Sequence, residues 1–439
     1  MVDRTRTAYV NARLVDPESG LDARGELLTE AGTIVDRGAR LFEGAPPEDA
    51  EVVDCGGHVL APGLIDTRVQ LREPGEEHKE DIHSGSRSAA AGGVSCMVAL
   101  PNTEPVIDDI SLVEFIARRG REVKLVKVFC HAAVTRALAG REICEMGLLG
   151  EAGAIAFTDG VRAVADAGVM RRALSYARTF GALIVQHPEE PRLADDGAMN
   201  AGEMSTRLGL PGIPREAEHI MLDRDLTLVE MTGGRYHAAH ISTAPAVDRI
   251  RAAKNRGLDV TCDTAPVYFA LNEIAVGDYR TFAKLSPPLR SEEDRQAIVA
   301  GLADATIDLI ASDHAPQDED SKRLPFAQAE FGAVGIETLL PLVLELVHNR
   351  HLSLVEALRK VTCAPVARFG LPGGRLAPGT AADLVLFDPE RPWRIEADGF
   401  LSKSKNSPFD GRLVQGRVLR TVVDGRPVHV ADDPRVGER

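Results

Sequence analysis

TIDLIASDH (306–314) is the last of eight apolar, strand-like runs that decide the fold class of this chain. Helical patterns separate several of these runs, for example at 169–180, 245–257 and 292–304. This alternation predicts an α/β protein with a (β/α)8 TIM-type barrel. A doubly wound sheet is the alternative that the pattern leaves open. The other runs are GLIDTRVQL (63–71), GVSCMVALP (93–101), KLVKVFCHA (124–132), GAIAFTD (153–159), ALIVQHP (182–188), YHAAHIS (236–242) and LDVTCDT (258–264).

Both ends of the chain differ from this central part. Residues 1–61 and 372–439 consist of short alternating apolar segments separated by Gly, Pro and Asp, which is typical of strands and tight turns. We therefore predict a small β-sandwich domain that is built from both termini, and a barrel that spans residues 62–371.

Composition narrows the class of protein. The chain has 439 residues, and 51 Lys and Arg against 66 Asp and Glu give a net charge of −15, so nucleic acid and anionic membranes would repel it. No apolar leader begins the sequence, and no apolar run approaches the length of a membrane span. The six cysteines form no C-x-x-C pair. We expect a cytoplasmic protein with neither a nucleic-acid nor a membrane partner.

Polar side chains follow the predicted strands at the end where barrel enzymes carry their chemistry. A carboxylate and two imidazoles from different strands would suit a divalent metal such as zinc. Each of these residues alone has an ordinary structural explanation, such as a hydrogen-bonded histidine or a turn-forming aspartate. Their matching positions favour a site. The candidates are Arg68, Gln70, Arg72, Asn102, Asp159, His187, His240 and Asp313.

A long, ordered set of motifs extends over nearly the whole chain. It comprises APGLID (61–66), LREPG (71–75), KEDI (79–82), LPNT (100–103), AFTDG (156–160), HIST (240–243), PPLR (287–290), SDHAP (312–316), FGAVGIET (331–338) and NSPF (406–409). On these motifs the chain resembles the bacterial dihydroorotases of the multifunctional-complex type, in the amidohydrolase superfamily. The resemblance implies the barrel fold and a homo-oligomer.

The resemblance also implies roles for the candidate residues. Asp159, His187 and His240 match ligands of the second of the family's two metals, and Asp313 matches the general base. Arg72 and Asn102 match residues that bind the carboxylate of a small acidic substrate. The implied cofactor is one divalent metal, with zinc favoured and no metal as the other possibility.

The sequence departs from the family at the first strand. Members carry D-x-H-x-H there to hold the first metal, whereas this chain has Asp66, Arg68 and Gln70. Because arginine cannot lose its proton and an amide is a poor ligand, the first metal site is predicted to be absent. We hypothesise that the Arg68 guanidinium takes the vacated position and pairs with Asp313 or Asp159.

Further departures lie around the expected pocket. The family's asparagine before PPLR is Ser286, its histidine after DHAP is Gln317, and its histidine pair after the seventh strand is Val267 and Tyr268. These losses indicate a changed substrate or relaxed selection on the chemistry.

Three functions remain open. The first is the reversible cyclisation of N-carbamoyl-L-aspartate to dihydroorotate, in de novo pyrimidine biosynthesis, with a single metal. The second is a catalytically inactive pseudo-dihydroorotase that acts as a scaffold for aspartate transcarbamoylase. The third, a hydantoinase or allantoinase, fits less well, because those relatives usually carry a carboxylated lysine on the fourth strand. No lysine occurs between Arg136 and Arg192.

The segment PQDEDSKRLPFAQAEFG (316–332) follows the eighth run and is charged, without clear periodicity. It is interpreted as a mobile flap over the pocket or as a solvated loop.

Overall fold

The structure, a computed structural model, describes residues 6–431. Residues 1–5 and 432–439, which the predicted end domain includes, lie outside this range. The strands in chain order are β1 (Arg6–Asp16), β2 (Leu21–Glu30), β3 (Thr33–Gly38), β4 (Ala50–Asp54), β5 (Val59–Pro62), β6 (Leu64–Val69), β7 (Val94–Ala99), β8 (Lys127–Cys130), β9 (Leu183–Gln186), β10 (Met199–Asn200), β11 (Gly212–Ile213), β12 (Arg235–Ala238), β13 (Val260–Thr264), β14 (Leu309–Ile310), β15 (Leu384–Arg394), β16 (Leu413–Val423) and β17 (Arg426–Val430).

Helices separate the central strands. They are α1 (Ile82–Ala91), α2 (Ile110–Val123), α3 (Met146–Glu151), α4 (Ala167–Thr179), α5 (Pro191–Ala194), α6 (Glu203–Leu208), α7 (Glu216–Thr232), α8 (Ala244–Asn255), α9 (Pro266–Ala270), α10 (Glu292–Ala303), α11 (Glu319–Arg323), α12 (Leu339–His348), α13 (Leu354–Arg359) and α14 (Cys363–Phe369). Within residues 6–431, no helix combines the length and the apolar character that crossing a membrane requires.

Three helices that the sequence predicted, α4, α8 and α10, begin at side-chain caps. Asp166, Thr243 and Ser291 each accept a hydrogen bond from the backbone N–H three residues later. Such caps satisfy N–H groups that the first helical turn leaves without partners. The observed helix bounds differ from the predicted ones by at most two residues.

Strands from both ends of the chain meet in one eight-stranded sheet. Its order is β17-β16-β15-β5-β1-β2-β3, and β4 also pairs with β1. This pairing joins the strands of both termini, as predicted, and the predicted sandwich arrangement stays a prediction. Register shifts in β1 and β15 bend the strands, and apolar residues of both ends pack into one buried cluster. That cluster includes Tyr9, Leu27, Leu60, Leu386 and Val422.

The central strands pair in parallel. β6, β7 and β8 form one sheet, and β9, β12, β13 and β14 form another. Isolated parallel bridges connect the two sheets, from Ala132 to Phe157, from Phe157 to Ile184, and from Val69 to His314. The carboxyl ends of these strands therefore lie on the same side of the molecule.

Two of the eight predicted runs form little regular strand. The run 153–159 contributes only the bridges at Phe157, and the run 306–314 contributes the two residues of β14. The backbone turns at both ends of each run, because Gly153, Gly160, Ala305 and Asp313 all have positive φ.

The segment 316–332 is fastened to the rest of the protein, which argues against a freely mobile flap. Lys322 Nζ donates to the carbonyls of Glu330 (2.5 Å) and Thr281 (3.1 Å), and Lys284 Nζ donates to that of Ala327 (2.9 Å). Asn406 Nδ2 donates to the Gly332 carbonyl at 3.0 Å. These hydrogen bonds hold the segment in place, and its residues Glu330, Phe331 and Gly332 line the cavity described below.

Candidate functional site

A cavity of about 270 Å³ lies at the carboxyl ends of the central strands. Its lining includes five of the candidate residues, which are Gln70, Arg72, Asn102, His240 and Asp313. These residues come from four different strand ends, so the fold brings together positions up to 243 residues apart in the sequence.

Three of the lining residues have strained backbones. Arg72 (φ 60°), His240 (φ 35°) and Asp313 (φ 53°) lie in the left-handed region, although none is glycine. A non-glycine residue there costs on the order of 1–3 kcal/mol and persists only where the surroundings hold it. Strain at three converging strand ends is typical of a functional site.

Arg68 lies at the centre of this site. Its side chain is only 2% exposed. Nε donates to Asp313 Oδ1 at 2.8 Å, and Nη2 lies 3.2 Å from both the Gly160 carbonyl and His240 Nε2. The predicted ion pair between Arg68 and Asp313 is therefore present. The alternative partner, Asp159, is engaged elsewhere.

Asp313 and His240 form a second contact that fixes their charge states. His240 Nδ1 donates to Asp313 Oδ2 at 3.0 Å. Burial, together with the charge of Arg68, lowers the pKa of His240 to about 4, so its imidazole is neutral. Burial alone would raise the pKa of Asp313, but His240 and Arg68 outweigh it and hold that pKa well below its usual range. Asp313 is an ionised but weakly basic carboxylate.

His187 extends the chain of contacts beyond His240. The two imidazoles face each other, with 2.7 Å between His187 Nδ1 and His240 Nε2. On its other side, His187 Nε2 lies 3.4 Å from Glu189 Oε1. Burial opposes ionisation of Glu189, yet the contact with His187 lowers the pKa of this carboxyl. Sequence reasoning missed Glu189, although it lies only two residues after a candidate ligand.

Asp159 contacts Thr135 in this structure, and its place beside His187 and His240 in a three-ligand set stays a prediction. Its Oδ1 accepts from the Thr135 backbone N–H at 2.8 Å, and its Oδ2 accepts from the Thr135 hydroxyl. Across residues 6–431, no group of three or more His, Cys, Asp or Glu side chains is placed to hold a metal ion. His187 Nδ1 and His240 Nε2 fit a divalent ion in chemistry and convergence, but Asp313 and Glu189 contact the other nitrogen of each ring.

Arg72 and Asn102, the residues expected to bind substrate, line the cavity. Arg72 Nε donates to the Pro316 carbonyl at 3.2 Å, and its Nη1 donates to Glu76 Oε2 at 2.9 Å. Asn102 Nδ2 donates to Gln70 Oε1 at 3.0 Å. Gln70 and Asn102 therefore hold each other at the wall of the cavity.

Asp263, which was not among the predicted site residues, supports His240. Its Oδ1 accepts from the His240 backbone N–H at 2.6 Å, and its Oδ2 lies 2.9 Å from His237 Nε2. These contacts stabilise the unusual backbone of His240. A polar residue at the end of the apolar run LDVTCDT is the signal that could have revealed it.

Asp66 gives a pH-dependent prediction. Its Oδ1 accepts from the backbone of Arg68 and Ser312, whereas its Oδ2 is buried without a partner in the described residues. Burial raises the pKa of Asp66 to about 6, against the hydrogen bonds that lower it. The folded state then binds more protons than the unfolded state between pH about 4 and 6, so stability falls as pH rises through that window, by up to about 3 kcal/mol.

Replacing Asp66 with asparagine is expected to remove this slope. We expect Asp66→Asn to be more stable than the wild type at pH 7 and no more stable at pH 4, measured by denaturant unfolding across that range. If the stabilities of the two proteins changed with pH in parallel, a raised pKa of Asp66 would be contradicted.

Comparisons with known proteins show the family to which the chain belongs. The family model described as dihydro-orotase-like matches residues 57–245. A dihydroorotase from Anaplasma phagocytophilum (strain HZ) is 49% identical over 428 residues, covering 97% of this chain and 95% of the relative. This chain belongs to the dihydroorotase family. A second dihydroorotase, from Pelobacter propionicus, is 46% identical over 95% of this chain and 98% of its own length.

Solved structures extend the fold beyond the dihydroorotase family. An L-hydantoinase (dihydropyrimidinase) from Arthrobacter aurescens has a TM-score of 0.85 at 24% identity over 97% of each chain. A dihydropyrimidinase from Brevibacillus agri NCHU1002 has a TM-score of 0.83 at 23% identity, covering 96% of this chain and 95% of its own. At these identities the likeness concerns the α/β fold alone.

Proposed function

We propose that this member of the dihydroorotase family is a cyclic amidohydrolase that interconverts N-carbamoyl-L-aspartate and dihydroorotate in pyrimidine biosynthesis. The observation that carries the proposal is the convergence of Arg72, Asn102 and Asp313 in one cavity. The near full-length identity to dihydroorotases supports the same assignment.

Arg72 is the residue proposed to bind the substrate carboxylate. Its contacts with Glu76 and the Pro316 carbonyl hold the guanidinium in place at the wall of the cavity. A pre-oriented guanidinium forms strong, charge-assisted hydrogen bonds with a carboxylate. Asn102, held by Gln70, would orient the same group.

Asp313 is the residue proposed to move the proton. Ring opening adds water across the cyclic amide, so one proton leaves the water and one reaches the ring nitrogen as the C–N bond breaks. Asp313, ionised and at the cavity wall, would accept the first and deliver the second. His187 and His240 are the residues that would hold the divalent ion implied by the family, and such an ion, with zinc expected, supplies hydroxide at neutral pH when bound.

The second candidate is a catalytically inactive scaffold for aspartate transcarbamoylase. The ion pair with Arg68 favours it, because a carboxylate held by a guanidinium is a weaker base than a free one. In this case the cavity would bind a small acidic ligand without turnover.

We also infer a closed (β/α)8 barrel over residues 62–371, and an end domain whose sheet folds over its own buried cluster as a sandwich. The parallel bridge from Val69 to His314, between the first and last runs, supports closure. A cytoplasmic location and a homo-oligomer complete the proposal.

One experiment separates the two candidate functions. Metal content per chain is measured on the sample used to assay carbamoyl-aspartate cyclisation, with and without aspartate transcarbamoylase. Turnover with about one zinc per chain supports the single-metal enzyme. Absence of both metal and turnover, with a stable complex between the two proteins, would leave the scaffold.

Arg72→Ala is expected to weaken dihydroorotate binding by about 10- to 150-fold, since a hydrogen bond to a charged group contributes about 1.5–3 kcal/mol. Arg72→Lys should recover only part of this, because an ammonium lacks the planar fork. Calorimetric titration gives the affinities, and Arg121→Ala, at an exposed position on α2, is the matched control. Unchanged affinity in Arg72→Ala would remove Arg72 from the binding site.

A further inference from the structure

The guanidinium of Arg68 lies beside the two imidazoles that would hold a divalent ion. Nη2 is 3.2 Å from His240 Nε2, the nitrogen that also faces His187. A dication bound at His240 Nε2 would therefore meet a fixed positive charge in its immediate surroundings, with little water to screen it. We infer that Arg68 competes with the divalent ion for this centre and weakens its binding. The inference rests on the metal that the proposed function implies.

Arg68 is anchored in this position. It is almost completely buried, and its Nε and Nη2 atoms contact Asp313, the Gly160 carbonyl and His240. A buried cation needs such partners to offset its lost hydration. The side chain therefore cannot swing away without breaking its ion pair.

The facing nitrogens of His187 and His240 lie closer together than two ligands of one zinc ion would. Two nitrogens bound to one tetrahedral zinc lie about 3.3 Å apart, given Zn–N bonds of about 2.0–2.1 Å. His187 Nδ1 and His240 Nε2 are 2.7 Å apart. Binding of the ion requires the pair to open, and His240 Nε2 must also give up its contact with Arg68 Nη2.

The carboxylates near the two histidines do not contact the two ring nitrogens that face each other. Glu189 Oε1 lies 3.4 Å from His187 Nε2, on the other side of that ring. Asp159 is held by Thr135, and both oxygens of Asp313 are engaged, one by Arg68 and one by His240. Gln70, at the other former metal position, is turned to Asn102. An ion at His187 and His240 would thus have to compete with Arg68 for the carboxylate of Asp313.

Removal of the guanidinium tests this competition directly. We expect Arg68→Met to bind Zn²⁺ and Co²⁺ at least about tenfold more tightly than the wild type, measured by competition with a chromogenic chelator. Arg121→Met, an exposed arginine on α2, should leave the affinity unchanged. Equal or weaker binding by Arg68→Met would overturn the inference.

A second variant covers the case in which Arg68→Met does not fold. Arg68→Met/Asp313→Asn removes both members of the ion pair and keeps His187 and His240, and it should show the same gain in affinity over Asp313→Asn alone. If the double variant binds no more tightly than Asp313→Asn, the charge of Arg68 does not control the ion.

The wild-type protein offers an independent readout. In protein labelled with ¹⁵N-arginine, the Arg68 Nε–H signal, held by Asp313, should shift or broaden as Zn²⁺ is added to saturation. An ion that binds at these histidines while this signal stays unchanged would contradict competition. Neither measurement uses turnover, so an inactive chain with the expected metal affinities would overturn the proposed activity and leave this inference standing.

Discussion

Arg68→Met is expected to lower the free energy of unfolding by about 3–5 kcal/mol at neutral pH. Methionine matches the length of the arginine stem but provides no donor for Asp313 Oδ1. The substitution leaves a mostly buried carboxylate with His240 as its remaining side-chain partner. Equilibrium unfolding in urea, monitored by circular dichroism, measures the loss.

The matched control removes the other partner as well. Arg68→Met/Asp313→Asn leaves no uncompensated charge, so it should recover most of the lost stability, and the double-mutant cycle isolates the coupling of the pair. A loss below about 1 kcal/mol in Arg68→Met would contradict a buried, paired Asp313. A double variant whose loss in free energy of unfolding equals the sum of the losses of the two single variants would contradict it as well.

The sequence predicted best where local signals and apolar periodicity agree. Helices α4, α8 and α10 follow Asp166, Thr243 and Ser291, and each of these caps stands directly before a periodic apolar pattern. Propensity, pattern and cap chemistry all indicate the same element there, so the helix bounds could be placed closely.

The end sheet shows what alternation cannot settle. Apolar alternation in β1 and β15 predicted strands from both termini, and both are present. Whether such strands form one bent sheet or two flat ones depends on bulges, such as the shift between Tyr9 and Ala12. A bulge changes the pairing of a single residue, and this leaves almost no trace in an alternating pattern.

Within the candidate site, strand-end position located the residues but not their contacts. It placed Arg72, Asn102 and Asp313 in one cavity, because parallel strands end on the same side. It could not place the carboxylate of Asp159 against Thr135, a contact across 24 residues that depends on the direction of one side chain. The hydrogen-bond partner of such a side chain depends on how the folded chain packs in three dimensions.

Restoring the first-strand histidines has the largest expected effect on activity. Positions 68 and 70 lie two residues apart at the end of β6, so alternation places their side chains on the same face. Arg68→His/Gln70→His removes the cation beside His240, frees Asp313 from its ion pair and adds two imidazoles to the centre. We expect the double variant to bind more divalent metal per chain than the wild type.

The expected gain in kcat/KM for carbamoyl-aspartate cyclisation is at least about 100-fold. Chains without the ion keep only general-base catalysis by a carboxylate, which contributes about 10²–10⁴-fold. Tighter binding raises the fraction of chains in which a metal lowers the pKa of bound water from about 15.7 to about 7 and makes hydroxide available at neutral pH. Steady-state assays in buffer with added Zn²⁺ measure the gain, and metal analysis on the same sample gives the stoichiometry.

Two controls assign the gain to the restored centre. Arg68→His alone should recover less than the double variant, and Asp313→Asn in the double-variant background should abolish the gain, because the proton then has no acceptor at the cavity wall. A double variant that binds metal and stays inactive would show that another departure blocks the chemistry. The candidates are Ser286 and Val267, which line the same cavity. In that outcome the Arg68–Asp313 pair would be a consequence of lost catalysis rather than its cause.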